Sequence, residues 1–312
     1  EQSEYIQKAL DAFGNAREGE LIFDIGNYYV TKPMFVPRCV KIKGAGQRRT
    51  VFKVGRDGFD VFTTCEQGCR FEDIQFEIRG YNVRKQGYYI NLQHDKCDII
   101  DVSFGESVHN IGVFGHNCRI NKIMAVFGHQ IDGGSIIDVQ ASNCKINDVQ
   151  SLSGYSPSSI INIGGSAKAN ISGADVSGIF SVGNGALITL NASASSITRS
   201  SIKGLKHNGY SVLKPEYAVK VIASDTYTID SVVFNDILIS SHAANGMLFE
   251  QKDDATIKNI TLTNFIVQGT NGIGIKFDET KKGRISNINL SETVNTKERT
   301  MPLVIMGQPR LN

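Results

Sequence analysis

Cys144-Lys145-Ile146-Asn147-Asp148-Val149 has a near copy in Ala255-Thr256-Ile257-Lys258-Asn259-Ile260. In each, two apolar residues stand three apart, with an Asp or Asn just before the second. A strand alternates faces with a period of two, so residues three apart that share one core demand a bend between them. Asp and Asn adopt the left-handed conformation of such a bend at little cost. With the central apolar residue as marker, the motif recurs at Phe71, Ile99, Ile120, Ile146, Ile171, Ile197, Ile229, Ile257 and Ile285, at separations of 28, 21, 26, 25, 26, 32, 28 and 28 residues. A repeat of this length marks a solenoid of stacked coils.

A second apolar strand precedes the motif copies, as in Ile137-Asp138-Val139, Ile161-Asn162-Ile163, Ile188-Thr189-Leu190 and Val219-Lys220-Val221. These alternate inward and outward residues. The expected fold is therefore an all-β parallel β-helix forming one domain over residues 1–312, with 1–20 as capping helix and lead-in and 21–312 as coils. Tyr5, Ile6, Ala9, Leu10 and Phe13 form the apolar stripe of the cap, which would cover the exposed end and strand edge of the solenoid. The column Asp73, Asp101, Asp148, Asn259 and Asn287 reads as a ladder of turns.

The same alignment places Cys69, Cys97, Cys118 and Cys144 at one position, followed by Ala169, Ser195, Tyr227 and Ala255. Stacked strands hold equivalent residues about 4.8 Å apart with parallel Cα–Cβ vectors, whereas a disulfide needs converging Cβ atoms about 3.8 Å apart. The four read as a buried ladder of reduced thiols, which points to folding in a cytoplasm. No CxxC pair stands in the chain, which excludes a zinc ribbon or thioredoxin motif, and no cofactor or metal site is expected. The 33 Lys and Arg against 31 Asp and Glu give a net charge of +2. That balance supplies no field to recruit nucleic acid. Without a run of about eighteen apolar residues, no membrane insertion is expected.

The helix Tyr5-Ile6-Gln7-Lys8-Ala9-Leu10-Asp11-Ala12, the strand Leu21-Ile22-Phe23-Asp24-Ile25-Gly26-Asn27-Tyr28-Tyr29-Val30 and the strand Val40-Lys41-Ile42-Lys43-Gly44-Ala45-Gly46 resemble the opening of the pectate-lyase superfamily of right-handed parallel β-helices. Within it the chain is most like the bodies of bacteriophage tailspikes and capsule depolymerases. The resemblance implies a homotrimer in the phage virion, folded in the host cytoplasm, that binds and depolymerises a bacterial capsular or O-antigen polysaccharide as a hydrolase or lyase. The alternative on the same scaffold is a non-enzymatic receptor-binding or structural fibre. The polygalacturonase and epimerase motifs are missing, with only Gly115-His116-Asn117 and Gly128-His129-Gln130 as partial echoes, so no catalytic residue carries over.

The site must come from geometry. Long connections lead into the second strand of each coil, at Arg79 to Tyr88, Ala125 to Ser135, Ser153 to Ser159, Ser177 to Gly185 and Gly204 to Tyr217. They are expected to wall a groove whose floor is the outward column Asp60, Asn91, Gly112, Asp138, Asn162, Thr189 and Lys220, with Gln93 and Gln140 alongside. Asp138, the carboxylate in the centre of that column, is the expected catalytic group, with Asp132 and His129 of the preceding loop as partners. The alternative is a site between subunits that uses Asp60, Glu250 or loop residues from two chains. Tyr89, Asn91, Gln140, Asn162, Tyr155, Arg84 and Lys206 are the expected substrate contacts: amides for sugar hydroxyls, aromatic faces for sugar rings, and cations for an acidic glycan. Arg79, Lys85, Lys203 and Lys214 add to that cationic reading.

Overall fold

The structure, a computed structural model, describes residues 2–14, 18–55, 58–78, 86–105, 109–126, 134–152, 158–182, 185–208, 217–240, 245–268, 273–280, 282–291, 294–295, 301–306 and 310–311. It is a right-handed parallel β-solenoid with one short N-terminal helix. Among the described residues, seventeen strands form a first sheet that wraps two faces, and eleven strands form a second sheet on the remaining face. Every pairing among them is parallel, for example Ile111 beside Ile137 beside Ile161 beside Ile188. One apolar core runs through the coils from Ile6 to Ile288. Equal residues sit on each other: Phe76 stacks on Phe104 at 5.5 Å and 8°, and Phe249 on Phe277 at 4.9 Å and 8°.

The helix, α1 (Gln2–Asp11), buries Ser3, Ile6 and Leu10. Tyr5, expected in the same stripe, is instead 71% exposed, and Ala9 is half-buried. The cap also works through polar side chains. Gln7 accepts a hydrogen bond from Phe35 N at 2.7 Å and donates to Phe35 O at 3.2 Å, while Ser3 Oγ accepts from Thr31 N at 3.0 Å. Side chains of α1 thus occupy the strand edge that the first coil would otherwise expose.

The bend residues are left-handed, as their chemistry requires, but they belong to two corners. Asp73, Asp101, Lys122 and Asp148 have φ of 60°, 57°, 56° and 54°. Strand register continues their corner through Gly178, Gly204, Asp236 and Asn264. Asn259 and Asn287 lie in the other corner, in line with Ser231 and Arg199. Likewise Ile146 stands beside Val176, and Ile171 instead begins a column with Ile197, Ile229, Ile257 and Ile285. The repeat aligned in sequence therefore slips by one corner after Ile146. Both corners need the same apolar, polar, left-handed, apolar order, so their sequence signatures are alike.

The slip moves other positions too. The thiols of Cys69, Cys97, Cys118 and Cys144 are buried and free, but their column continues into Ala174, whose carbonyl accepts from Ser201 N as the Cys144 carbonyl accepts from Asp175 N. Ala169 is exposed. The segments Asp175–Ser181 and Ser201–His207 are strands, so two of the expected walls are shorter than their sequence spacing implied.

Where the chain enters the second sheet, two consecutive residues turn inward: Ile136 with Ile137, Ile160 with Ile161, and Leu187 with Ile188 are all fully buried. Asn110 holds this place between Tyr89 and Ile136, and neither its Oδ1 nor its Nδ2 finds a partner among the described residues. A buried amide without partners is destabilising relative to an apolar group of similar shape. Asn110→Leu should stabilise the protein by about 1–2 kcal/mol, read as a rise in the midpoint of thermal or urea unfolding; an unchanged or lower midpoint would show that the amide is satisfied.

Candidate functional site

The second sheet presents the expected floor. Asn91, Gly112, Asp138, Asn162, Thr189 and Lys220 are in register along adjacent strands. Asp60 is not in that column, where Thr63 stands, but its carboxylate reaches it. Asp60 Oδ1 accepts from Tyr88 N at 2.8 Å, and Oδ2 accepts from Asn91 Nδ2. Gln93 Nε2 donates to Asn91 Oδ1 at 2.7 Å. Gln93 also edges an open depression of about 360 Å³ lined by Arg38, Glu66, Gln67, His94 and Asp95.

Asp138 is the centre of a second cluster. Its Oδ2 accepts from Tyr88 Oη and from Gln140 Nε2, each at 2.9 Å, and its Oδ1 accepts from Asn162 Nδ2 at 2.8 Å. All three donors are neutral, and among the described residues no lysine or arginine pairs with Asp138. A carboxylate offers about four acceptor positions, so one on Oδ1 remains for a ligand. Gln140 extends the cluster to Ser166 Oγ at 2.7 Å.

Tyr88 links the two carboxylates, through its backbone N–H to Asp60 and its hydroxyl to Asp138. Burial first, then the Asp138 charge, push its hydroxyl far above the usual phenol range, so it stays protonated as a donor. Its ring lies across Gly112 and contacts His109 at 5.6 Å and Phe114 at 5.9 Å. A Cβ at Gly112 would approach the Tyr88 and Phe114 rings to 2.8 Å each. Gly112 is thus the gap in the column that lets Tyr88 reach a carboxylate two coils away. Burial lowers the pKa of His109, with Asp138 opposing the shift.

The structure brings Asp138, Gln140 and Asn162 together, with Asn91 two coils away in the same column. It removes Tyr89 from the expected contacts, because that ring is fully buried and stacks on Phe76 at 5.1 Å. The inward double residue at the sheet entry turns Tyr89 into the core and leaves Tyr88 on the groove. Lys206, together with Lys203, lies on the exposed side of a first-sheet strand and not on this floor. His207 is buried in the same strand. Asp132, His129, Tyr155, Arg84, Arg79, Lys85 and Lys214 lie outside the described residues.

A solenoid of parallel strands with a capping helix and a flat polar sheet face defines the class: the chain has the pectate-lyase-like right-handed parallel β-helix fold. Among solved structures it is similar to an endo-xylogalacturonan hydrolase from Aspergillus tubingensis, with a TM-score of 0.64 at 14% identity over 96% of this chain and 90% of that one. It is similar to the Streptococcus pneumoniae surface protein and adhesin PfbA, with a TM-score of 0.60 at 12% identity over 99% and 93%. It is also similar to the tailspike of E. coli bacteriophage HK620, solved with a pentasaccharide, with a TM-score of 0.56 at 11% identity over 98% of this chain and 63% of that one. No family model matches the sequence, and no curated protein matches it. At these identities the likeness establishes the fold.

Two measurements test the cluster. Gly112→Ala should cost about 1–3 kcal/mol of stability by displacing the Tyr88 and Phe114 rings, and the cost should shrink but not vanish in a Tyr88→Ala background, where Phe114 still stands at 2.8 Å; equal costs in both backgrounds would separate Gly112 from Tyr88. His109 resists protonation when folded, so its contribution to stability is present above the ordinary value of 6.5 and is lost as pH falls from there through its lowered folded value. His109→Gln should flatten the decline of the unfolding midpoint below about pH 6.5.

Proposed function

We propose that the chain binds a bacterial surface polysaccharide along the second sheet and hydrolyses it, with Asp138 as a catalytic carboxylate. The observation that carries this reading is the pair of carboxylates, Asp60 and Asp138, joined through Tyr88 on a floor of amides and hydroxyls. Asp138 stands two coils, about 9.6 Å, from Asn91, which holds Asp60. Inverting glycoside hydrolysis uses two carboxyl groups set roughly 6.5–9.5 Å apart with room for an attacking water between them. One group would protonate the leaving oxygen and the other would activate the water. Asn91, Gln93, Gln140 and Asn162 would hold the sugar hydroxyls. Asp132 and His129, which precede the Asp138 strand in sequence, belong to the same proposal as its nearby partners, with Tyr155 and Arg84 as wall contacts.

The solved relatives support a glycan ligand by analogy, since one is described as a glycan hydrolase and another is a tailspike in complex with a pentasaccharide. On that analogy we propose that the chain is the homotrimeric body of a phage tailspike, and native mass measurement tests the trimer. A second reading, a binding fibre without catalysis, draws on Asp138 itself, which is only 8% exposed and already accepts three hydrogen bonds. Release of oligosaccharides from a bacterial surface polysaccharide separates the two readings. Asp138→Asn should lower kcat/KM for that release by about a hundredfold or more with glycan binding retained. Near-full activity in a folded variant removes Asp138 from the mechanism, and parallel Asp60→Asn and Asp132→Asn variants identify its partner.

A further inference from the structure

We infer that the depression lined by Arg38, Glu66, Gln67, Gln93, His94 and Asp95 is a second saccharide subsite, which takes a side-branch sugar with adjacent free hydroxyls from a branched polysaccharide; this rests on the second sheet being the glycan floor. The position of the depression carries the branch. The floor column runs across the strands, from Asn91 through Gly112 and Asp138 to Asn162. Gln93 stands two residues past Asn91 along the chain, about 6.6 Å to the side of that line. Its Nε2 joins the two places by donating to Asn91 Oδ1 at 2.7 Å. A linear chain laid on the column passes the depression by, whereas a sugar attached sideways near Asn91 enters it.

The chemistry of the lining suits a sugar. A guanidinium, two carboxylates, two side-chain amides and an imidazole surround a space of about 360 Å³. A carboxylate accepts from two neighbouring hydroxyls and a guanidinium donates a fork of N–H groups, and such charge-assisted hydrogen bonds are the stronger kind. Arg38, Glu66, Gln93 and His94 are exposed, so these groups are open to a ligand. The segment Gly115-His116-Asn117, which in sequence only echoed a catalytic motif, supports the depression from the next coil. Gly115 packs so closely that a Cβ there would lie 2.0 Å from the His94 carbonyl oxygen. His116 N donates to Asp95 Oδ1 at 2.7 Å, and His116 O accepts from Lys96 N at 2.9 Å. Gly68 N donates to Asp95 O at 3.1 Å and Cys39 N to Gln67 O at 3.1 Å, which ties together the coils that line the depression. The Asp95 carboxylate is thus oriented by the backbone of the next coil and keeps acceptor positions for sugar hydroxyls.

The test is a panel of purified bacterial surface polysaccharides, divided by whether the repeat unit carries a side-branch sugar. It is presented to the full chain, to an Arg38→Ala, Glu66→Gln double variant, and to Asn162→Ala. The expected result is that branched repeats are held about tenfold more tightly than linear ones, the worth of one charge-assisted hydrogen bond. The double variant should bring branched repeats down to the linear level and leave linear ones unchanged, and Asn162→Ala should weaken both. Both residues of the double variant are exposed, so the fold tolerates their replacement. Branched repeats held as tightly by the double variant as by the unaltered chain, or no preference for branched repeats, with Asn162→Ala still weakening retention, would overturn the subsite while leaving the floor as the site. Retention that ignores Asn162→Ala, or no retention of either group by folded protein, would overturn the floor reading and the inference with it.

Discussion

Parallel strand pairing between coils, at a spacing of about 4.8 Å, is the constraint on which this molecule depends. Each coil closes the backbone hydrogen bonds of its neighbours, from Phe35 beside Thr63 near the cap to Phe277 beside Ile305 near the other end. No coil can bury its apolar residues alone. The pairing also forces each side chain onto the equivalent one above and below, so the interior is a set of columns. Flat rings stack, thiols fit under thiols without reaching disulfide geometry, and isoleucines repeat down a column. Such a stack has ends, and the N-terminal one is closed by α1 with Leu10 and Ile6 in the core and Gln7 in the place of a strand.

The same spacing shapes the groove. Columns that are good for rings and methyl groups are poor for charges, because like charges about 4.8 Å apart repel. The floor solves this by interleaving: Asp138 lies between Gly112 and Asn162, and Asp60 is held by Asn91 and the backbone of Tyr88. The absence of a side chain at Gly112 allows one tyrosine to cross a coil and tie the two carboxylates together. A floor built this way is a rigid array of oriented donors and acceptors, set by backbone register before any ligand arrives.

Two departures from the sequence reading share one cause. The residue pattern of a left-handed bend is the same wherever it occurs, so the Asp73, Asp101 and Asp148 corner and the Asn259 and Asn287 corner were indistinguishable by composition. A signal was present in the second half, where Asp236-Ile237 and Asn264-Phe265 repeat the bend five residues after Ser231 and Asn259. The exchange of Tyr89 for Tyr88 is a one-residue matter of the same kind. Strict alternation from Ile90 sends Tyr89 outward, but the chain admits two inward residues at each entry to the second sheet, as Ile136 with Ile137 shows.

The parallel solenoid, the capping helix, the reduced thiols and the outward column Asn91, Gly112, Asp138, Asn162 and Thr189 were all legible in the order of the residues. Each follows from periodicity and from the conformational preferences of single residues, which are local properties. It took the stacking of the coils to set which corner each bend belongs to, to put Tyr89 in the core and Lys203 and Lys206 on another face, and to join Asp60 to Asp138 through Tyr88. Those outcomes turn on inter-coil register and on steric gaps between residues as far apart as Tyr88 and Asp138, and a one-residue shift in register moves a side chain from the groove to the core.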